Sequence, residues 1–213
     1  MAKVTMPLLG ISASGTIGDA VTFGRWRGVN YARQRVVPAN PRTTAQQSQR
    51  MLVRFVVSAW QRLPVVSQDA FIAAARNTHM TGYNLFAKRN LISLAGATNA
   101  SAVVVSPGMG GSIPLSGISA TGGSGTINVS ATVGYLPAGY ALQRVVFVAW
   151  RNVNPQSDSL DRFWSGDDTT SPYSFQFTGL SPGQYHVSAF TVSIDTKGNT
   201  LYGAPFTATV TVS

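Results

Sequence analysis

From about residue 117 the chain alternates apolar and polar positions in short bursts, and this period of two constrains the fold more than any other feature. In residues 126–133 (TINVSATV), Ile127, Val129, Ala131 and Val133 share one face. Residues 173–177 repeat the pattern with Tyr173, Phe175 and Phe177, and residues 205–213 with Phe206, Ala208, Val210 and Val212. Residues 184–194 alternate Tyr185, Val187 and Ala189, then take up Val192 after a shift. Residues 142–151 form a strongly apolar strand and 160–165 a short one. With a first strand near 113–120, seven strands occupy about a hundred residues, the count and spacing of a β-sandwich.

The first hundred residues follow a different period. Met51, Leu52, Phe55, Val56, Ala59, Trp60 and Leu63 make one broad helical stripe. Thr44 and Gln47 stand at capping-box spacing before it, and Pro64 ends it. Ser67 is placed to cap a second helix near 68–77, with Phe71, Ile72 and Ala75 inward. After Thr81-Gly82 a third helix runs from Tyr83 to about Leu94 on Leu85, Phe86 and Ile92. Ahead of the helices, residues 16–37 read as a β-hairpin with Arg27-Gly28 at its turn. Val21, Phe23 and Arg25 share a face of its first strand; Val29, Tyr31, Arg33, Arg35 and Val37 share a face of its second. Two strands are marginal alone, so the hairpin must pack on something else. Pro38 and Pro41 then force an extended path into the first helix. Residues 96–117 are rich in Gly, Ser and Pro and read as a linker. The expected fold class is α+β with two domains. A basic hairpin-and-helix domain with an extended N-terminal arm spans 1–97, a linker 98–116, and an all-β Ig-like sandwich 117–213.

Charge divides the chain along the same line. Of a net +9, residues 1–100 hold twelve basic side chains and two acids, and residues 101–213 hold four basic and five acidic ones. Every acid is Asp; Glu and Cys are absent. Disulfides, thiolate metal sites, Cys nucleophiles and paired-Glu glycosidases are thereby excluded. Charged residues make up 11% of the chain, against about 25% in an average soluble domain. A surface so poor in charge suits a protein covered by neighbours. The apolar run 6–11 is shorter than the ~7–15 residues of a secretion signal core, and no run approaches the ~18 of a membrane span. The expectation is a soluble, cytoplasmically made chain with no membrane partner.

Arg25, Arg27, Arg33, Arg35 and Arg42 fall within eighteen residues, interleaved with Trp26 and Tyr31. Arg50 and Arg54, four apart, share the polar face of the first helix. Three readings are open. These residues form an interface on which other subunits supply the missing acids. Alternatively they meet nucleic acid, guanidinium to phosphate and ring to base. Or they are a solvated basic face.

Little points to chemistry. Neither His79 nor His186 sits in a motif, and alternation puts His186 opposite the inward Tyr185, on a face expected to be exposed. No Ser, His and acid form a recognisable triad. Asp158, Asp161, Asp167 and Asp168 share a loop-rich stretch of the kind Ca²⁺ favours, yet the D-x-[DN]-x-[DN]-G loop is absent and loop aspartates commonly cap turns. GMGGS and TGGSG lack the Lys-Ser/Thr ending of a phosphate loop. No catalytic residue, metal or cofactor is expected. Trp164, Tyr173 and Tyr202 are candidate rings for stacking on a glycan, as in an adhesion module.

Residues 177–192 (FTGLSPGQYHVSAFTV) resemble the Leu-x-Pro-Gly-x-Tyr corner of fibronectin type III domains, with Leu180, Pro182, Gly183 and Tyr185 matching. The resemblance implies that Tyr185 opens the sixth strand and bonds back to the corner backbone, and that Trp150 stands near the family's buried core Trp. It covers 117–213 and implies a fold, not a function. The string GRWRGVNYARQRVVPANPRTTAQQSQR, followed by Trp60 and TGYNLFAKRN, is similar to small structural proteins of tailed bacteriophages and prophages. That similarity implies a non-enzymatic virion component in a capsid, neck or tail. It would be present in several copies, assembled through its basic half, with the Ig-like half projecting or bracing.

Overall fold

The alternation in residues 21–34 closes into the expected hairpin, seen in a computed structural model that describes residues 2–3, 13–37, 39–40, 42–76 and 78–213. Strand β3 (Val21–Trp26) pairs with β4 (Val29–Gln34) from Val21↔Gln34 to Trp26↔Val29. Arg27 (φ 48°) and Gly28 (φ 84°) form the turn. Positive φ at both positions matches the twist of the flanking strands, and glycine adopts it without a Cβ clash. Two short strands extend the hairpin. The first, β1 (Ala2–Lys3), pairs with β4, and β2 (Gly15–Ile17) pairs with β3, giving the antiparallel order β1-β4-β3-β2. The ends of the expected N-terminal arm thus lie in this sheet; residues 4–12, Pro38 and Pro41 are outside the described residues. This sheet belongs to a unit ending at Arg42, and Thr43–Ser213 is a second unit.

The second unit opens with α1 (Thr44–Arg62), α2 (Val65–Ala75) and α3 (Gly82–Ser93). The α1 cap is Thr43, one residue before the expected Thr44, and its hydroxyl accepts from the Gln46 N–H at 3.4 Å. Leu52, Phe55, Val56, Ala59 and Leu63 are buried as the stripe predicts. Ser67 does not cap α2. It is buried inside the helix, which starts directly after Pro64. Ile72 and Ile92, expected inward, are exposed. Each residue turns the helix by about 100°, so Ile72 lies off the Phe71 direction and Ile92 well round from Phe86.

The sandwich has one sheet of β5 (Leu115–Gly123), β6 (Thr126–Val133) and β9 (Ser174–Thr178). Its other sheet joins β8 (Phe163–Asp168), β7 (Ala141–Arg151) and β10 (Gly183–Ile194). The far edge of β10 pairs with β12 (Phe206–Val212), the expected last strand, and also with β11 (Thr200–Tyr202), a short strand that the alternation does not mark. Ile127, Val129, Phe147, Ala149, Phe177, Tyr185, Val187 and Val210 fill the space between the sheets. The Tyr185 hydroxyl donates to the Ser181 carbonyl at 3.0 Å, the corner bond implied by the sequence resemblance. This Ig-like arrangement rests on topology and on that bond.

Two expectations fail on the outer face of β7 and β10. Trp150 is fully buried, but away from the sandwich interior, in a core shared with Val146, Val148, Phe190, Val192 and the helices. His186 does lie opposite Tyr185, yet it is only 2% exposed. His186 is enclosed by the Trp150 ring and the Asn152 and Thr209 side chains. Helices α1–α3 cover that face, so the sheet is buried on both sides.

The covering layer also corrects the domain boundaries. Residues 98–116 do not behave as a free linker between a domain at 1–97 and one at 117–213. Ala100, Val103, Val105, Ser106 and Ile113 are buried. The Trp150 indole donates to the Ala100 carbonyl at 2.9 Å. The buried Asn90 amide donates to Val104 O at 3.2 Å and accepts from Val104 N at 2.9 Å, acting as a local strand partner. Arg89 bonds the Pro107 carbonyl, and Ser106 donates to Gly203 O at 2.7 Å. Backbone groups that must be satisfied when buried are held here by side chains of α3 and by the β11 end. The helices and sandwich therefore share one unit, and the division falls at Arg42/Thr43.

Candidate functional site

Strand register sorts the basic-aromatic cluster. Directly opposed residues of an antiparallel pair share a face. Arg25 lies with Val21, Phe23, Asn30, Ala32 and Gln34 on one side of β3–β4; Trp26 and Arg33 lie with Thr22, Gly24, Val29 and Tyr31 on the other. The expected cluster is therefore split rather than gathered on one surface. On the Trp26 side, the Arg27 guanidinium stands 5.8 Å from the Trp26 ring centre and the Arg33 guanidinium 6.0 Å from that of Tyr31. Tyr31 lies across Gly24, at a spot where a Cβ would strike its ring. Trp26 is 69% exposed. Arg35 forms an exposed ion pair with Asp19, in the turn between β2 and β3. Arg42 takes a positive φ of 48° at the end of this unit. Arg50 and Arg54 are exposed on α1, in the second unit.

Arg27 stands where asparagine or glycine is the cheaper turn residue, since left-handed backbone costs an ordinary side chain ~1–2 kcal/mol. Its guanidinium gains a cation–π contact in return, worth ~0.5–1 kcal/mol at an exposed ring. None of residues 13–37 is buried. Ile17, Trp26, Val29, Val36 and Val37 are large apolar side chains left exposed. A sheet whose described residues bury neither side within their own unit is an unfinished structure by the ordinary rule of layer packing.

The other candidates dissolve into structural roles. Asp158 accepts from Asn154 N at 3.3 Å, Asp167 pairs with Arg144 at 3.2 Å, and Asp168 accepts from Ser174 N at 2.8 Å and Thr170 N at 3.0 Å. Backbone N–H bonds from Ser174 and Thr170 hold the Asp168 carboxyl below its ordinary range. Among the described residues no three potential metal ligands cluster. Trp164 and Tyr173 pack on the sandwich core and Tyr202 on the helix-side core. Tyr135, at 77% exposure, is a further exposed aromatic ring, in a loop that no periodicity marks in the sequence.

His79 is exposed. The His186 ring sits between Asn152 Oδ1, 2.9 Å from Nε2, and Thr209 Oγ1, 3.0 Å from Nδ1. The Asn152 amide donates to Gln184 Oε1 at 2.6 Å, and its oxygen also accepts from Ala100 N at 3.4 Å. The network assigns the proton to His186 Nε2. Burial pushes the imidazole below its ordinary range. These partners tie β10 to β12 through Thr209 and to the segment after β7 through Asn152. A polar cleft of about 670 Å³ lies between α2 and the β10–β11 turn, with Asp69, Arg76, Asn199 and Tyr202 in its wall. Burial, then the Asp69 charge, pushes the Tyr202 phenol up.

Comparison with known proteins finds no matching family model and no matching curated relative. Among solved structures, the fibronectin type III-like modules of CbhA from Clostridium thermocellum align at 23% identity over 47% of this chain and 94% of theirs, with a TM-score of 0.27. A polysaccharide deacetylase from Bacillus cereus aligns at 18% identity over 44% of this chain and 29% of its own, with a TM-score of 0.31. A CARDB domain from Pyrococcus furiosus aligns at 13% identity over 47% and 90%, with a TM-score of 0.22.

Proposed function

We propose that the chain is a non-enzymatic structural subunit of a bacteriophage particle, at a capsid-associated, neck or tail position. It is made in the host cytoplasm and resides in the virion. The basic sheet β1–β4 docks on acidic surfaces of other virion subunits, and the Ig-like half serves as a surface or bracing module. One observation carries the reading: a four-stranded sheet bears exposed Trp26, Val29 and Ile17 beside Arg25, Arg27 and Arg33, and buries none of residues 13–37. The similarity of residues 8–95 to phage structural proteins supplies the setting. Cryo-EM of the parent particle tests it. The chain is expected in multiple copies, with residues 13–37 buried against another subunit. Its absence from purified particles, or a sheet still bare within them, overturns the reading.

A second reading draws on the pairing of guanidinium with ring at Arg27–Trp26 and Arg33–Tyr31, which also suits single-stranded nucleic acid. A labelled oligothymidine should then bind at ~50 mM salt and weaken steeply as salt rises. Absence of binding at that salt removes this alternative.

A further inference from the structure

The outer face of the β5-β6-β9 sheet is uncharged and polar, and it lies on the side of the sandwich away from the helices. Strands β5, β6 and β9 contain no charged residue, in a chain of net +9. Register aligns the outward side chains into cross-strand rows: Ser119–Ser130–Ser174, and beside it Thr121–Asn128–Gln176. All six are exposed. The outer face of the opposite sheet is already occupied by the helices.

We propose that this face is a contact between two copies of the chain, related by a two-fold axis through the Thr121–Asn128–Gln176 row and perpendicular to the strands. Three observations support a second copy as the occupant. A neutral face is where two strongly basic chains can approach without like-charge repulsion. Its short Ser, Thr and Asn side chains lose less rotamer freedom on ordering than the Lys and Arg that normally coat a surface. The rim is also self-complementary. Asp168 bonds the Ser174 N–H at one end of β9, and Arg162 lines a groove with Thr178 at the other. These ends are ~14 Å apart by strand rise. The proposed axis passes midway between them at Gln176, so it sets each Arg162 toward the partner's Asp168, as an isologous contact requires.

The patch covers on the order of 300 Å² per copy from strand spacing and rise. A stable dimer uses ~800 Å². The contact is accordingly weak in solution and acts where other contacts already hold copies close together.

The absence of cysteine permits a clean test on the full chain. Asn128→Cys, on the axis, should be joined into a covalent dimer by a short bismaleimide, which spans the spacing between facing sheets that a disulfide cannot, whereas Ser159→Cys, exposed in a loop, should not. Sedimentation equilibrium up to ~1 mM should show mass rising toward twice the monomer, with association weakened about tenfold or more by Asn128→Lys and less by Arg162→Glu. Circular dichroism checks that each variant stays folded. A wild-type chain monomeric at ~1 mM, cross-linking no greater at position 128 than at 159, or association untouched by Asn128→Lys each overturns the proposal.

Discussion

Asn90 offers the sharpest test of how residues 98–116 are held. Its amide is buried and satisfies both the Val104 N–H and C=O, besides donating to Phe86 O at 3.1 Å. Replacing Asn90 with Leu keeps the volume and orphans two peptide groups of Val104. At ~1–1.5 kcal/mol for each orphaned group, the loss is about 3 kcal/mol. In a unit of this size each kcal/mol moves the midpoint by ~2–4 °C, so Tm should fall by about 9 °C. Asn90→Ala should cost somewhat more, since it adds a cavity. Differential scanning calorimetry measures the shift, and limited proteolysis reads where the chain opens; cleavage should concentrate within 98–116. A Tm for Asn90→Leu within a degree of the native value would falsify the claim that this segment is pinned, and would restore the free linker.

Other consequences are smaller. His186 is held neutral by burial, so its folded pKa lies below the unfolded value of 6.5. The unfolded chain then takes up the proton first, and stability should fall as pH drops below about 6.5 until the folded form also protonates; urea melts at pH 7.5 and 5 should lose part of this difference in His186→Gln. Tyr185→Phe deletes the corner bond to Ser181 and should cost ~1 kcal/mol by the same melts, whereas no change would make the corner ornamental. Arg27→Asn should raise sheet stability by ~1 kcal/mol by relieving the positive φ, and lower incorporation into particles by removing the guanidinium; unchanged incorporation would detach Arg27 from the assembly reading.

Local signals transferred well to the structure. Arg27-Gly28 announced its turn because two positive-φ positions in a hairpin are a short-range requirement. Tyr185 announced its corner because the motif and the bond lie within five residues. Trp150 and His186 were misread because a period of two tells which residues share a face, not whether that face meets water or another layer. The clue was the unbroken apolar run from Val145 to Trp150, which a one-sided strand does not need. Val103-Val104-Val105 was the equivalent clue inside the Gly- and Ser-rich stretch. The basic cluster was legible as composition, but its division between two sides of a sheet follows from register alone.

The doubly buried β7–β10 sheet also determines where this gene could be cut and recombined. A fragment beginning at residue 117 would resemble a tidy Ig module, yet it would bare Val146, Val148, Trp150, Phe190 and Val192 to water and stick to its own kind. A break after Arg42 severs the boundary between the two units instead. Shuffling among related genes should therefore exchange the basic N-terminal sheet as a cassette and carry helices and sandwich together as one inherited block.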